Sequence, residues 1–218
     1  MKLNKNRNPA VPGFKASGLS CGIKAKNIKD LALIVSDVPA TAAGIFTKNR
    51  VVSPGVTWSR RALEKSDRCR AIIVNSGNAN AVVGPKGMKD CDAITKKISE
   101  ELSIPQKEVL IASTGVIGVP LPSDKILKAA PNLVKKLRRT AKNWIDAAEA
   151  IMTTDLVLKS DRIQYTFQGK RISLGGITKG SGMIHPNMAT MLGFLYTDAV
   201  IDSKTLKRAL IEATDRSF

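Results

Sequence analysis

The longest uninterrupted apolar runs in this sequence are only four or five residues long. Leu31-Ala32-Leu33-Ile34-Val35, Ala71-Ile72-Ile73-Val74 and Val109-Leu110-Ile111-Ala112 are all strand-sized. A continuous apolar run, rather than an alternating one, is what a strand covered on both faces displays. None approaches the ~18 residues a membrane-crossing helix requires, so no membrane partner is expected. The period then changes: Met88, Cys91, Ile94, Ile98 and Leu102 recur every three or four residues, which predicts an amphipathic helix over 87–102. A second helix is predicted from Ser123 as N-cap, with Ile126, Leu127 and Ala130 on one side, and a third over 140–151 with Trp144, Ile145, Ala148 and Ile151 inward. Ile163, Tyr165 and Phe167 alternate with polar residues, a half-buried strand pattern, and Gly169-Lys170 turns that strand into Ile172-Ser173-Leu174. Ala43–Thr47 and Val51-Val52 read as two further extended segments. Ser203 is placed to cap a last helix whose face is Leu206, Ala209, Leu210 and Ala213. Strands and helices mix throughout, so the class is α/β or α+β.

With 218 residues, of which 43% are hydrophobic and 24% charged, the chain has the composition of one large globular domain or two small ones. The basic N-terminus is followed by no apolar segment, which points away from a secretory signal and towards the cytoplasm. The abnormal bulk property is charge: 35 Lys and Arg against 18 Asp and Glu give +17. Such a balance attracts anions. The basic residues are scattered, however, and aromatics are only 4%, too few for the stacking platforms of a single-strand binder. No nucleic-acid partner is therefore expected. Three widely spaced cysteines, Cys21, Cys69 and Cys91, form neither a disulfide framework nor a zinc pattern, so no metal is expected. Cys91 falls on the apolar face of the predicted helix and reads as core.

The densest unusual stretch runs from Leu174 to Leu192. Four glycines, Gly175, Gly176, Gly180 and Gly182, surround Lys179, so backbone can approach a ligand or another strand closely. A phosphate-binding loop requires Gly-Lys followed by Ser or Thr; here Lys179 precedes Gly180-Ser181, and the pattern fails. Spacing alone leaves a functional loop and a glycine-rich turn equally open.

The stretch Lys179-Gly180-Ser181-Gly182-Met183-Ile184-His185-Pro186-Asn187-Met188-Ala189-Thr190-Met191-Leu192 closely resembles the self-cleaving segment of the ornithine acetyltransferases, also called glutamate N-acetyltransferases, of arginine biosynthesis. Six stretches that precede it resemble the family's other signatures in the family's order. They are Gly13–Gly18 with Asp30–Ile34, Ala42–Thr47, Val74–Ala81, Ser113–Gly118 and Ile151–Asp155. Together they span essentially the whole chain.

The resemblance implies a layered sheet-and-helix fold, incomplete at its C-terminus, and cleavage between Ala189 and Thr190. Residues 1–189 would correspond to an α-chain region and 190–218 to the start of a β-chain region. It implies Thr190 as nucleophile, with the Thr114 hydroxyl and the Gly115 backbone N–H stabilising the oxyanion, and Thr153, Lys179 and Thr190 binding substrate. A threonine freed at its amino group supplies nucleophile and base in one residue. From spacing alone, Thr190 would instead begin a buried strand and Thr114-Gly115 would be an ordinary strand-ending turn. Both substrates, N-acetylornithine and glutamate, carry an α-carboxylate that a lysine and a hydroxyl suit. Asp155 reads as a residue that caps or orients the Thr153-Thr154 turn. The single histidine, His185, lies in a His-Pro turn and is not assigned to catalysis. The resemblance brings no metal and no cofactor; acetyl-CoA enters as co-substrate in part of the family. Family members run to about twice this length. The resemblance therefore implies a missing C-terminal half or β chain, a heterotetramer when complete, and, as the alternative to an active transferase, an incomplete fragment that needs a partner chain.

Overall fold

The computed structural model describes residues 8–25, 27–182 and 190–217. Its first sheet contains β1 (Phe14–Leu19), β2 (Leu31–Thr41), β3 (Arg68–Asn78) and β4 (Val109–Val116) in that spatial order. The first two pairings are antiparallel, and β3 pairs with β4 in parallel. Between them the chain passes through the predicted helix, α2 (Lys86–Leu102), which the parallel pairing requires as a crossover.

The continuous apolar runs have the expected cause. Along β2, Leu31, Leu33 and Val35 face one core with Cys91, Ile94 and Ile98 of α2 and Ile126, Ala130 and Leu133 of α3 (Ser123–Lys135). Ala32 and Ile34, which alternate with them, face a second core. That core belongs to α4 (Ala141–Ile151), whose Trp144, Ala147, Ala148 and Ile151 are fully buried, and to the second sheet.

The second sheet is antiparallel, with β6 (Lys170–Lys179) between β5 (Lys159–Phe167) and β7 (Leu192–Thr197). Gln168 and Gly169 join β5 to β6, both with positive φ, as a two-residue hairpin turn requires. Ile177 and Tyr196 anchor this sheet, Tyr196 stacking on Trp144 at 4.1 Å between ring centroids. Its outer face is open: Tyr165, Phe167 and Leu195 are exposed, so the alternation in β5 buries less than its pattern promises.

Some local expectations fail for identifiable reasons. Segments 43–47 and 51–52 pair with no strand. The chain from Pro54 to Lys65 forms a helix, α1, that the apolar pattern does not announce. α1 is held by polar contacts to the free edge of β4. The Ser59 hydroxyl donates to Ile111 O at 2.8 Å and accepts from Ile111 N–H at 3.0 Å, and the Trp58 indole N–H donates to Val109 O. A sheet edge with unmet backbone groups is thus covered by a helix. Ser123 does not cap α3; its hydroxyl donates to Asp90. Asp202, not Ser203, caps the last helix, α5 (Ser203–Asp215), by accepting from Thr205 N–H at 3.0 Å. No residue of α5 is buried, so its expected apolar face is at most half-covered by this chain.

Asp30, at the start of β2, is completely buried, and its carboxylate accepts from the backbone N–H groups of Cys21, Gly22, Ile23 and Lys24 at 2.6–3.1 Å. A charge-assisted bond of this kind contributes about 1.5–3 kcal/mol, and the four amides have no other described partner. Asp30→Ala should lower the unfolding free energy by more than about 3 kcal/mol, whereas Asp202→Ala, at an exposed cap, should lower it far less. Urea denaturation of the two variants measures both.

Candidate active site

The site residues read from the sequence lie on strand ends and turns where the two sheets meet. Thr114 and Gly115 stand at the C-terminal end of β4. There β3 and β4 cross closely: a Cβ on Gly115 would lie 2.3 Å from the Gly77 carbonyl carbon. Gly115 and Gly77 also have φ of +136° and +99°, a region L side chains rarely adopt. This turn therefore demands glycine at both positions for backbone shape and for space. The loop beyond it is fixed by Asn78, whose side-chain N–H group donates to the Val119 and Pro120 carbonyls.

Lys179 ends β6 and is only 6% exposed. Its ammonium donates to Thr114 Oγ1 at 2.9 Å. This is the direct link between the two sheets at the site, and it has a chemical consequence. Because the Thr114 oxygen accepts from a cation, its own O–H is left to donate and is polarised for doing so.

Asp155 organises the surroundings. Its carboxylate accepts from Gly180 N–H at 2.9 Å and from Thr153 N–H at 3.3 Å, and pairs with Lys159 Nζ at 2.6 Å. One buried side chain thus joins the end of α4, the start of β5 and the end of β6. Asp155 does orient the Thr153 turn, but it also anchors Gly180, a role its sequence position gives no hint of. Burial pushes its carboxyl pKa up; Lys159 and the two amides outweigh burial and hold it below the ordinary carboxylate value. Burial lowers the Lys179 pKa, Asp155 opposes the shift and Lys159 adds to it, with a net decrease.

Thr153 follows α4 with its side chain exposed. Thr190 is exposed and precedes β7 rather than lying in a buried strand. Leu192 pairs with Lys179, and Met191 lies against Gly180. Thr190 is the next residue outward along that path. Ala189 and His185 lie outside the described residues. The structure thus brings Lys179 and Thr114 into contact and Thr153 and Gly180 onto one carboxylate, and Thr190 lies two residues before Leu192, the strand partner of Lys179. Sequence reading missed Gly77, Lys24 and Lys159. The Lys24 Nζ donates to Met152 O at 2.6 Å, immediately before Thr153.

Burial is the main cause that pushes the Cys21, Cys69 and Cys91 thiols each to about 12, so all three stay protonated at neutral pH. Cys91 is fully buried core. Among the described residues, no helix is long and apolar enough to cross a membrane.

Two sheets flanked by helices, with the polar groups gathered where strand ends meet, define an α/β fold shared with an Ochrobactrum anthropi L-aminopeptidase D-Ala-esterase/amidase described as a new variant among the Ntn hydrolase fold. The TM-score is 0.58 over 98% of this chain and 69% of that one; at 8% identity the likeness is one of fold alone. The chain belongs to the ArgJ family, whose model matches residues 15–218. An arginine biosynthesis bifunctional protein ArgJ from Caldanaerobacter subterraneus is 47% identical over 94% of this chain and 50% of the relative. The chloroplastic ArgJ of Citrullus lanatus is 45% identical over 96% of this chain and 46% of its own. The chain thus spans about half the length of the curated relatives it matches. Two solved structures agree in fold. ArgJ from Bacillus halodurans has a TM-score of 0.80 and 38% identity, covering 88% of this chain and 97% of that chain. The Mycobacterium tuberculosis ornithine acetyltransferase complexed with ornithine has a TM-score of 0.74 and 36% identity, covering 85% and 95%.

Asp155→Asn should cost about 2–3 kcal/mol of stability at neutral pH, through loss of the ion pair and weakening of the two amide bonds. Because the folded carboxyl titrates below its unfolded value, that difference should be fully present above about pH 4 and disappear as pH falls through the depressed folded pKa. Denaturation midpoints from neutral to acid pH, wild type beside variant, check both magnitude and sign.

Proposed function

We propose that this chain supplies the nucleophile end of an acyltransferase that moves an acetyl group from N-acetylornithine to glutamate in the cytoplasm. Residues 1–189 and the segment from Thr190 would separate when the Ala189–Thr190 bond is cut. In that cut the Thr190 Oγ attacks the Ala189 carbonyl carbon through a five-membered ring, the C–N bond breaks, and an ester forms. Water then opens the ester to an Ala189 carboxylate and a free Thr190 amine. The amine serves as local base for the hydroxyl of the same residue.

Thr190 Oγ then attacks the acetyl carbonyl of N-acetylornithine; ornithine leaves with a proton, and acetyl-Thr190 remains. The glutamate amine takes the acetyl group and returns the hydroxyl proton. Both halves pass through a tetrahedral oxyanion. The Thr114 O–H and the Gly115 backbone N–H are the assigned donors, each worth about 3 kcal/mol of barrier. Lys179 and Thr153 take the substrate α-carboxylate.

The observation that carries this reading is the Lys179–Thr114 contact, with Lys179 paired to Leu192, two residues after Thr190. A buried ammonium and a polarised hydroxyl at that point suit a carboxylate and an oxyanion, respectively. Family membership supports the reading, as does the solved ornithine acetyltransferase holding ornithine.

A second reading, an N-terminal chain that completes its site only with a partner chain, is favoured by one comparison. The Bacillus halodurans chain is close to this one in length, whereas the curated relatives are about twice as long. Division of a longer precursor into two chains accounts for both, with two copies of each in the assembled enzyme.

The intact mass of the purified chain, wild type beside Thr190→Ala, tests the reading. Two fragments meeting at Ala189–Thr190 in the wild type and an uncut variant are expected. A wild type that stays uncut at 23.4 kDa, even with the C-terminal half of a relative added, would contradict it.

A further inference from the structure

Lys24 lies far from the other site residues in sequence, yet it touches both halves of the site. Its stem crosses the face of Gly77: a Cβ on Gly77 would lie 3.0 Å from Lys24 Cγ. Gly77 is the residue against which Gly115 packs. At its other end, the Lys24 ammonium donates to Met152 O at 2.6 Å and to Lys29 O at 3.1 Å. Met152 closes α4 and is bonded directly to Thr153. The loop that carries Lys24 is itself fixed, because Lys24 N–H is one of the four donors to the buried Asp30 carboxylate.

We infer that Lys24 is a positioning residue that clamps the Gly77–Gly115 crossing and the Thr153 turn into one register, setting the distance between the oxyanion end of the site and its carboxylate end. The inference rests on the proposed substrate reading for its binding readout, and on geometry alone for its structural one. Within the two strands, the Ser113 hydroxyl donates to Asn75 Oδ1 at 2.6 Å, but glycine at 77 and 115 leaves the crossing itself without side chains, and among the described residues nothing in that pair of strands ties it to the Thr153 turn. Lys24 supplies that tie with a stem that fills the space over Gly77 and a head that holds the Met152 carbonyl. A methionine would keep the stem and lose the head; an arginine would keep a charged donor.

Lys24 also shares the charge environment of the site. Burial lowers its pKa, Asp30 opposes that shift, the nearby Lys179 adds to it, and Asp155 opposes it. Lys159, which pairs with Asp155, is the remaining cation of the group.

The test uses the 218-residue chain, 15N-labelled and combined with the C-terminal half of a relative, as wild type, Lys24→Met and Lys24→Arg, together with calorimetric titration of ornithine. Folding of each variant is verified from its amide spectrum. Loss of the ammonium that holds Met152 O should shift the Thr153 and Gly115 backbone amide signals in Lys24→Met, and Lys24→Arg should restore them. Ornithine affinity should fall about tenfold in Lys24→Met, the effect of losing one charged hydrogen bond, and recover to within about twofold in Lys24→Arg. Unchanged Thr153 and Gly115 amide signals and unchanged affinity in Lys24→Met would overturn the assignment, as would an arginine variant that behaves like the methionine one. If the assembled wild type binds no ornithine, the substrate reading fails while the amide signals still decide the role of Lys24.

Discussion

The site depends on one buried carboxylate. Asp155 receives an amide from the turn after α4, an amide from the end of β6 and an ammonium from the start of β5. Removing a charge from water is costly unless every lone pair finds a partner, so this side chain tolerates only a narrow range of positions for the three elements around it. Those elements carry Thr153, Lys179 and, through the β6–β7 pairing, the approach of Thr190. A second buried carboxylate, Asp30, does the same for the loop that holds Lys24. In a chain with 35 basic and 18 acidic residues, the rarer acidic groups at these two points are ringed by amides and lysines.

This arrangement gives the site a net positive interior suited to anions. Lys179 is buried and donates to a hydroxyl rather than to a carboxylate. Its charge is therefore only partly compensated, through Asp155, and a substrate carboxylate would complete the compensation. The Thr114 hydroxyl, occupied as an acceptor, retains its proton for donation. The mutual approach of Gly77 and Gly115 keeps the turn free of side chains where a tetrahedral intermediate would need room.

Much of the fold is legible in the sequence because it follows from burial. The continuous apolar runs become strands covered on both faces, and the period of three to four over 88–102 becomes α2. What the sequence hides is held by polar contacts across long separations. α1 exists where it does because Ser59 and Trp58 meet the edge of β4, some fifty residues away, and no local apolar pattern records that. The site divides in the same way. Lys179 and Thr114 stand out through a glycine-rich setting and a motif, whereas Lys24 and Gly77 gain meaning only when the chain has brought 24, 77, 115 and 152 together. Segments 43–47 and 51–52 carry strand-forming residues but find no partner strand, so propensity alone misleads there.

The central claim is that Thr190 accepts the acetyl group. The chain, cut to expose Thr190 and combined with the C-terminal half of a relative, can be incubated with N-acetylornithine, quenched in acid, and its peptides analysed by mass spectrometry. The account predicts one acetyl group on the peptide that begins at Thr190, located on the hydroxyl and removed on addition of glutamate. An exposed Thr190 that stays unmodified while acetyl transfer proceeds, or an acetyl group that accumulates on another residue, would contradict it.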